Sequence, residues 1–523
     1  MWGIRGRVVP LAADTAPVRA GSSGAFVGTV WIDGDGTVAA VTRGRRARPA
    51  GAHDAQVVDV GSSLVVPGLV DLHNHLAYDT LPLWTEPAQK VPFAHHDSWP
   101  RAATYAASTT WPAYAFITAA PQELLAYVET KALVGGTTTI QGSPPMNRPR
   151  DGWLVRNVDD ESFGTGNRDM VYASVLTATP AALATRANAM RSGSLFVYHC
   201  GEGQRGSLVA REYADATAAG CLQSRFVAVH ANAVDPVRYA DWSHDPGAVA
   251  WSPFSNLWLY GQTTDVPALR AAGVTVCLGA DWAPSGTKHV LGELKVARIV
   301  ADHLGWHLTD EDLVRMVTAN PGDVLARAWG RQVGRLQAGA VADVVVLHAS
   351  SSRVDPFRTI LRAVEDDVQL VVVDGVPRYA TPALADETAM PTPTPVTVGS
   401  RAMRVSLTRP DDGTTPLSWD AVVARLEAVR ADPRGAITAA QASGAQASGA
   451  VSGTASSEPG AEPFLLALDM PTGEGPVGGL PHDLGQVVVP PLQSLVHDAD
   501  WLASVHGRGF HDGVLDGLGV YYD

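Results

Sequence analysis

Residues 65–76 read VVPGLVDLHNHL, an apolar strand-like run that ends in His73-Asn74-His75. Side chains on a strand alternate between faces with a period of two, so both imidazoles are expected to point the same way. Imidazole is the commonest metal ligand near neutral pH, and a pair on one face is half of a metal site. A single motif of this kind has an ordinary alternative, a solvated strand end. Its weight comes from further motifs of the same form along the chain.

Outward from this run, the stretch from Gly68 to about residue 330 alternates short apolar strands with alanine-rich helical segments. The strands are expected at Leu69–Leu72, Thr137–Gln141, Trp153–Val158, Val171–Leu176, Leu195–Tyr198, Phe226–Val229, Ala248–Trp251 and Val274–Leu278. Helices are expected at Pro121–Val134, Ala181–Arg191, Val209–Ala219, Asp265–Ala272, Gly292–His303 and Thr309–Trp329, and the slot after the third strand is too short for a full one. Eight strands with helices between them predict an α/β fold, a (β/α)8 TIM-type barrel over residues 67–330. Strand-like pieces precede it (FVGTVWI, TVAAVT, AQVVDV) and follow it (VGRLQAGAVADVVVLHA, VQLVVVDGVPRYA). Residues 1–66 and 331–382 are therefore expected to share one small β-sandwich domain. Residues 383–523 form a C-terminal extension with one amphipathic helix, Ser418–Ala431, and an Ala/Ser/Gly tract, 436–462, expected to be a flexible linker. The apolar last segment either docks on the barrel or forms a small cap.

At 523 residues the chain exceeds one ordinary domain. Its formal charge of −14 argues against a nucleic-acid partner and against an anionic membrane surface. The three cysteines, Cys200, Cys221 and Cys277, are few, odd in number and set in apolar runs, which argues against a disulfide framework. The N-terminus has no apolar signal core, and no run approaches membrane-spanning length. The expectation is a cytoplasmic protein that acts on a small molecule, with homo-oligomerisation left open.

Polar groups suited to metal and proton chemistry recur where the apolar strands stop. LFVYHCGEG places His199 at one strand end with Glu202 three residues on, RFVAVHANAV places His230 at the next, and VTVCLGADWAPSG places Asp281 at the last. In a (β/α)8 barrel these strand ends converge on one mouth. Each residue has a local alternative, a rim histidine or a turn-forming aspartate. Those alternatives weaken when all the groups fall on one barrel face.

The ordered set PGLVDLHNH, GGTTTIQG, HCGE, VHAN, SPFSNL and LGADW resembles the amidohydrolase superfamily, in particular its mononuclear deaminase and s-triazine hydrolase-like branch. The resemblance covers about residues 25–380. It implies one divalent metal ion, zinc first and ferrous iron second, held by His73, His75, His199 and Asp281. It also implies that Glu202 is a proton shuttle and that His230 lies beside the substrate. The chemistry is consistent: three imidazoles and one carboxylate suit zinc or ferrous iron, and water on such an ion has its pKa lowered from ~15.7 towards ~7. An ion held there would supply a nucleophile for an electrophilic sp² carbon; Glu202 would then protonate the leaving nitrogen, Asp281 could accept the water proton and His230 could donate to the developing oxyanion. Two-metal relatives bridge their ions with a carbamylated lysine on the fourth strand; the corresponding stretch, DMVYASVLTA, has no lysine, so one ion is expected.

A long insertion, about Leu76–Ala120, carries His95, His96 and many aromatics, among them Trp84, Trp99 and Tyr105. Long structured loops are where specificity resides, although most of these rings are expected to hold the insertion together. His95 and His96 lack a strand context and read as rim or packing residues. Ser255, Asn256, Trp258 and Trp282, with Trp84, are the expected substrate-binding set; Tyr260 is a further aromatic near them. The functional expectation is a hydrolase of non-peptide carbon–nitrogen bonds, deamination of an aminated heterocycle favoured over opening of a cyclic amide. A non-catalytic scaffold is the alternative from another class, and it would normally have lost metal ligands.

Overall fold

The computed structural model describes residues 1–12, 24–142, 154–159, 171–174, 178–350, 354–407, 417–442 and 498–522. Eight short strands follow one another in parallel pairs. Leu69–Asp71, Thr137–Ile140 and Arg156–Asn157 form one sheet; Val171–Ser174, Leu195–Cys200, Phe226–His230, Ala248–Trp251 and Thr275–Leu278 form a second, in strict chain order. The end of the first strand meets the end of the eighth through a parallel bridge between Asn74 and Asp281. There Asp281 N donates to His73 O at 2.9 Å and His75 N donates to Asp281 O at 2.6 Å.

Alternation along the strands sorts their side chains into two cores. Val70, Leu195, Val197, Val227, Val229, Ala248, Ala250 and Cys277 pack with one another in one buried cluster. Their neighbours Phe196, Tyr198, Phe226, Ala228, Val249, Trp251, Val276 and Leu278 belong to a second cluster shared with the helices. That is the period-two signature of strands buried on both faces.

The helices fall where the sequence places them, with caps that set their ends. Pro121–Val134 stops at Gly135. Pro180–Arg191 starts at Thr179 and Val266–Ala271 at Asp265, each cap oxygen accepting from the third residue on. The last slot holds two helices, Asp310–Met316 and Ala319–Trp329, because the backbone of Thr318 leaves the helical region at φ −138°. The region of the short third slot lies outside the described residues.

The strands expected to form a small sandwich are hydrogen-bonded into one continuous nine-stranded sheet. Val57–Pro67 lies in its interior, parallel to Trp2–Val8 and antiparallel to Val344–Leu347, so strands from before and after the parallel-strand region share the same sheet. The sheet runs past residue 382: Pro393–Val398 and Arg401–Ser406 extend it, and the proline-bearing strand takes the edge, where a missing N–H is tolerated. Ser418 caps the helix Trp419–Ala431, whose Trp419 stacks on Tyr127 with centroids 5.7 Å apart.

The Ala/Ser/Gly tract begins inside a helix, Pro433–Ala442, which packs on Trp111–Ala119 and buries Ile437 and Ala440; residues 443–462 lie outside the described residues. Alanine is a strong helix former, and Ile437 supplies the contact that composition alone conceals. The final described segment docks beside the parallel strands, on the helix that carries Phe254 and Trp258. Phe510 N donates to Trp258 O at 3.1 Å, His511 stacks over Trp258 and Trp501 packs on Phe254. Among the described residues no helix is long and apolar enough to cross a membrane, and all three cysteines are buried free thiols.

Candidate active site

His73, His75, His199, His230, Glu202 and Asp281 come together at the carboxyl ends of the parallel strands. The route differs from simple strand alternation. The first strand ends at Asp71, and a bend at Leu72–His73 carries both imidazoles over the end of the sheet. Their rings stand 4.9 Å apart at 88°, and both Nε2 atoms face the same Asp281 oxygen, at 3.1 Å from His73 and 3.5 Å from His75. The His199 ring lies 4.6 Å from that of His73 and 5.2 Å from that of His75. His230 is paired in register with Cys200, whose side chain belongs to the helix-facing core, so alternation alone would send it the same way. It adopts φ +63° instead, and its ring stands 5.0 Å from His73. Asp281 is likewise left-handed, at φ +64°. Such conformations cost of order 1–3 kcal/mol each in non-glycine residues and cluster at functional sites.

Asp71 braces this arrangement. Its Oδ1 accepts from the backbone N–H groups of Ala280 and His73, and its Oδ2 accepts from Asn74 Nδ2, tying the first strand end to the eighth. Burial pushes its carboxyl up to about 8. Asn74, a mere spacer in the sequence motif, thus has a structural task.

The electrostatics suit a cation. Burial and the neighbouring His73 lower His75 to about 4, and burial holds His230 well below the ordinary histidine value, so both rings are neutral near pH 7. Burial works against the charge of Asp281, but the hydrogen bond from His73 and the surrounding imidazoles outweigh it and keep the carboxyl well below its usual range. Ligand atoms of His73, His75 and Asp281 lie within 4.8 Å of one another, as do those of His73, His199 and His230. His73 Nδ1 is also buried, with no hydrogen-bond partner among the described residues. A nitrogen-rich set with one carboxylate matches zinc or ferrous iron rather than magnesium or calcium.

His230 is distinguished from the other histidines by its partner. Trp251 Nε1 donates to Thr263 Oγ1 at 2.7 Å, which leaves the threonine proton for Asn256 Oδ1 at 3.4 Å. Asn256 therefore turns Nδ2 towards His230 Nδ1, 3.1 Å away. A neutral ring that accepts at Nδ1 carries its proton on Nε2, where it donates and cannot ligate. Among the described residues that Nε2 has no hydrogen-bond partner; it is buried and lies 3.8 Å from Glu202 Oε2.

Glu202 follows the left-handed Gly201, and burial pushes its carboxyl up to about 8 against the opposing effect of His96. Its backbone oxygen accepts from His96 N at 3.1 Å, so the insertion is laced to the loop that carries it. His96 is buried, with Nε2 3.1 Å from Glu212 Oε1.

The expected substrate-binding residues divide. Asn256 touches His230, and Ser255 reaches Ser285 at 3.1 Å, which in turn accepts from the Trp282 indole. The Trp282 ring stands 6.3 Å from His75, within a cluster that includes Tyr78 and Trp99. Trp258 and Trp84 lie elsewhere: Trp258 packs between Phe254 and His511 and donates to Trp84 O, while Trp84 stacks on Phe93. Both line a cleft of about 350 Å³ beside Lys90, Arg508 and Phe510, and no histidine of the cluster borders it. The sequence reading did not assign Tyr260 a contact with Glu202, yet its hydroxyl donates to Glu202 Oε1 at 2.6 Å. The available signal was its spacing four residues after Asn256, which puts both on one face of the helix Pro253–Tyr260.

Residues 169–377 match the amidohydrolase family, so the resemblance read from the motifs is borne out. An S-triazine hydrolase of Gordonia rubripertincta is 26% identical over 167 residues, 30% of this chain and 34% of that protein. A 5'-deoxyadenosine deaminase of Methanothermobacter thermautotrophicus is 32% identical over 181 residues, 31% of this chain and 39% of that protein. The chain thus spans between a third and two fifths of the length of these curated relatives. An adenosine deaminase from Xanthomonas campestris, solved with bound zinc, superposes with a TM-score of 0.52 at 18% identity, covering 72% of this chain and 92% of that one. At that identity the likeness speaks for the fold alone.

Proposed function

Taking the amidohydrolase match over residues 169–377 as the premise, we propose that this chain is a metal-dependent hydrolase of non-peptide carbon–nitrogen bonds, closed as a (β/α)8 barrel, that deaminates an aminated heterocycle. The observation that carries the reading is Glu202: a buried carboxyl raised to about 8, at the rim of the histidine cluster, with Oε2 3.8 Å from an imidazole nitrogen. One divalent ion, zinc before ferrous iron, would be held by His73, His75, His199 and Asp281. Such an ion supplies a nucleophile near neutral pH by lowering the pKa of water from ~15.7 towards ~7.

The chain's own residues supply the rest. Glu202, largely protonated at pH 7, has a proton to give to the leaving nitrogen and takes one back as ammonia departs. His230 presents an Nε2–H to the oxygen that gains charge at the attacked carbon, with Asn256 holding the tautomer. Trp282, 6.3 Å from His75 and backed by Trp99 at 5.3 Å, would offer an apolar aromatic surface suited to a planar, uncharged ring. This assignment makes the substrate a small heterocycle and needs neither nucleic acid nor membrane.

The test is ammonia release from purified full-length protein with a panel of purines, pyrimidines and pterins, including 5'-deoxyadenosine, run beside metal analysis. About one transition metal per chain and ammonia from at least one ring compound are expected, with Glu202→Gln retaining metal and losing turnover at least roughly a hundredfold. Consumption of a ring chromophore without ammonia would redirect the reading to ring opening. A well-folded protein without metal would overturn it.

A further inference from the structure

We infer that Tyr260 is the positioning residue of the proton shuttle, reserving Oε1 of Glu202 and leaving Oε2 to carry the mobile proton; this rests on the hydrolase reading above. The direction of each hydrogen bond follows from donor inventory alone. Trp99 Nε1 can only donate, and it lies 2.8 Å from the Tyr260 hydroxyl, which must accept. The single phenolic proton is then directed to Glu202 Oε1 at 2.6 Å. Burial and the adjacent Glu202 carboxyl raise the Tyr260 phenol well above its ordinary value, so that proton stays in place.

An oxygen that accepts this bond cannot also carry the acid proton towards Tyr260. A protonated Glu202 therefore holds its hydrogen on Oε2, the oxygen turned to His230 Nε2. The other ionisable groups around the carboxyl are His96, Asp281 and Glu212, and each acts on it through charge rather than by a side-chain hydrogen bond. The relay also has a remote anchor. Trp99 belongs to the insertion, and its ring lies 5.3 Å from that of Trp282, the residue after Asp281. The insertion therefore sets the orientation of the shuttle.

Tyr260→Phe removes one hydroxyl and keeps the ring, and the decisive readout is the infrared C=O stretch of protonated Glu202. The band is assigned near pH 6 on full-length protein by difference against Glu202→Gln. Loss of the bond to Oε1 should move it to higher wavenumber, and Trp99→Phe should move it less. In turnover of whichever panel compound releases ammonia fastest, Tyr260→Phe should lower kcat roughly ten- to a hundredfold with KM little changed, the worth of one hydrogen bond to an ionisable group. In the Glu202→Gln background it should cost nothing further. An unmoved band, or an equal loss in both backgrounds, overturns the inference. If Glu202→Gln itself keeps full activity, the functional reading fails instead, and the infrared arm still reports whether Tyr260 holds Oε1.

Discussion

The buried pair of His96 and Glu212 makes stability depend on pH in a calculable way. Burial lowers the His96 pKa, but the hydrogen bond to Glu212 and the neighbouring carboxylates Glu202 and Asp97 outweigh it and raise it to about 9. The unfolded chain gives up this proton near ~6.5, while the fold keeps it until about 9. The contribution is therefore complete below ~6.5 and is lost as pH rises through about 9. At about 1.36 kcal/mol for each tenfold difference in proton affinity, the proton that Glu212, Glu202 and Asp97 together hold on His96 is worth ~3 kcal/mol. That is a large share of a typical net stability of roughly 5–15 kcal/mol. Other buried groups titrate in the same window, among them Asp71, Glu202 and Glu293, so the raw pH curve is a sum. Comparison with His96→Gln, which keeps a donor for Glu212 and has no proton to lose, isolates the pair. Urea unfolding of both proteins at pH 6 and pH 10 should show the wild-type advantage shrinking by ~3 kcal/mol. An advantage that is the same at both pH values would refute the reasoning.

Three further outcomes are expected. Asp281→Ala should lose metal and turnover together, read by plasma emission and ammonia release, and full metal retention would remove it from the ligand set. Asn256→Asp places an acceptor-only group against His230 Nδ1 and should force the opposite tautomer, lowering kcat roughly a hundredfold or more; an unchanged kcat would detach His230 from the chemistry. Ile437→Ala should cost about 2–4 kcal/mol in urea unfolding, because the side chain is buried against the insertion helix. No change would return that segment to the linker first read from its composition.

Strand and helix positions in the parallel region were legible because their signals are local. Pro121–Val134 and Ala248–Trp251 have the bounds that periodicity and turn residues mark. The candidate ligands were legible for a related reason: strands that run parallel and in order deliver their last residues to one end. Composition misled where it stood in for contact. The low-complexity tract read as a linker over residues 436–462 begins in a helix that runs to residue 442, and Trp84 and Trp258, read as substrate-binding, line a cleft that the histidine cluster does not border.

From its sequence alone this chain determines the alternation of strands and helices, the six polar groups at or near the strand ends, and a match to the amidohydrolase family over residues 169–377. Only the tertiary structure decided what those groups do to one another. Tyr260 reaches Glu202 across 58 positions, His96 reaches Glu212 across 116, and Asp71 holds Ala280 across 209. Periodicity reports which face a residue takes within its own element. Which hydroxyl meets which carboxylate depends on loop conformations such as the left-handed backbone at His230 and Asp281, which only long-range packing can hold in place.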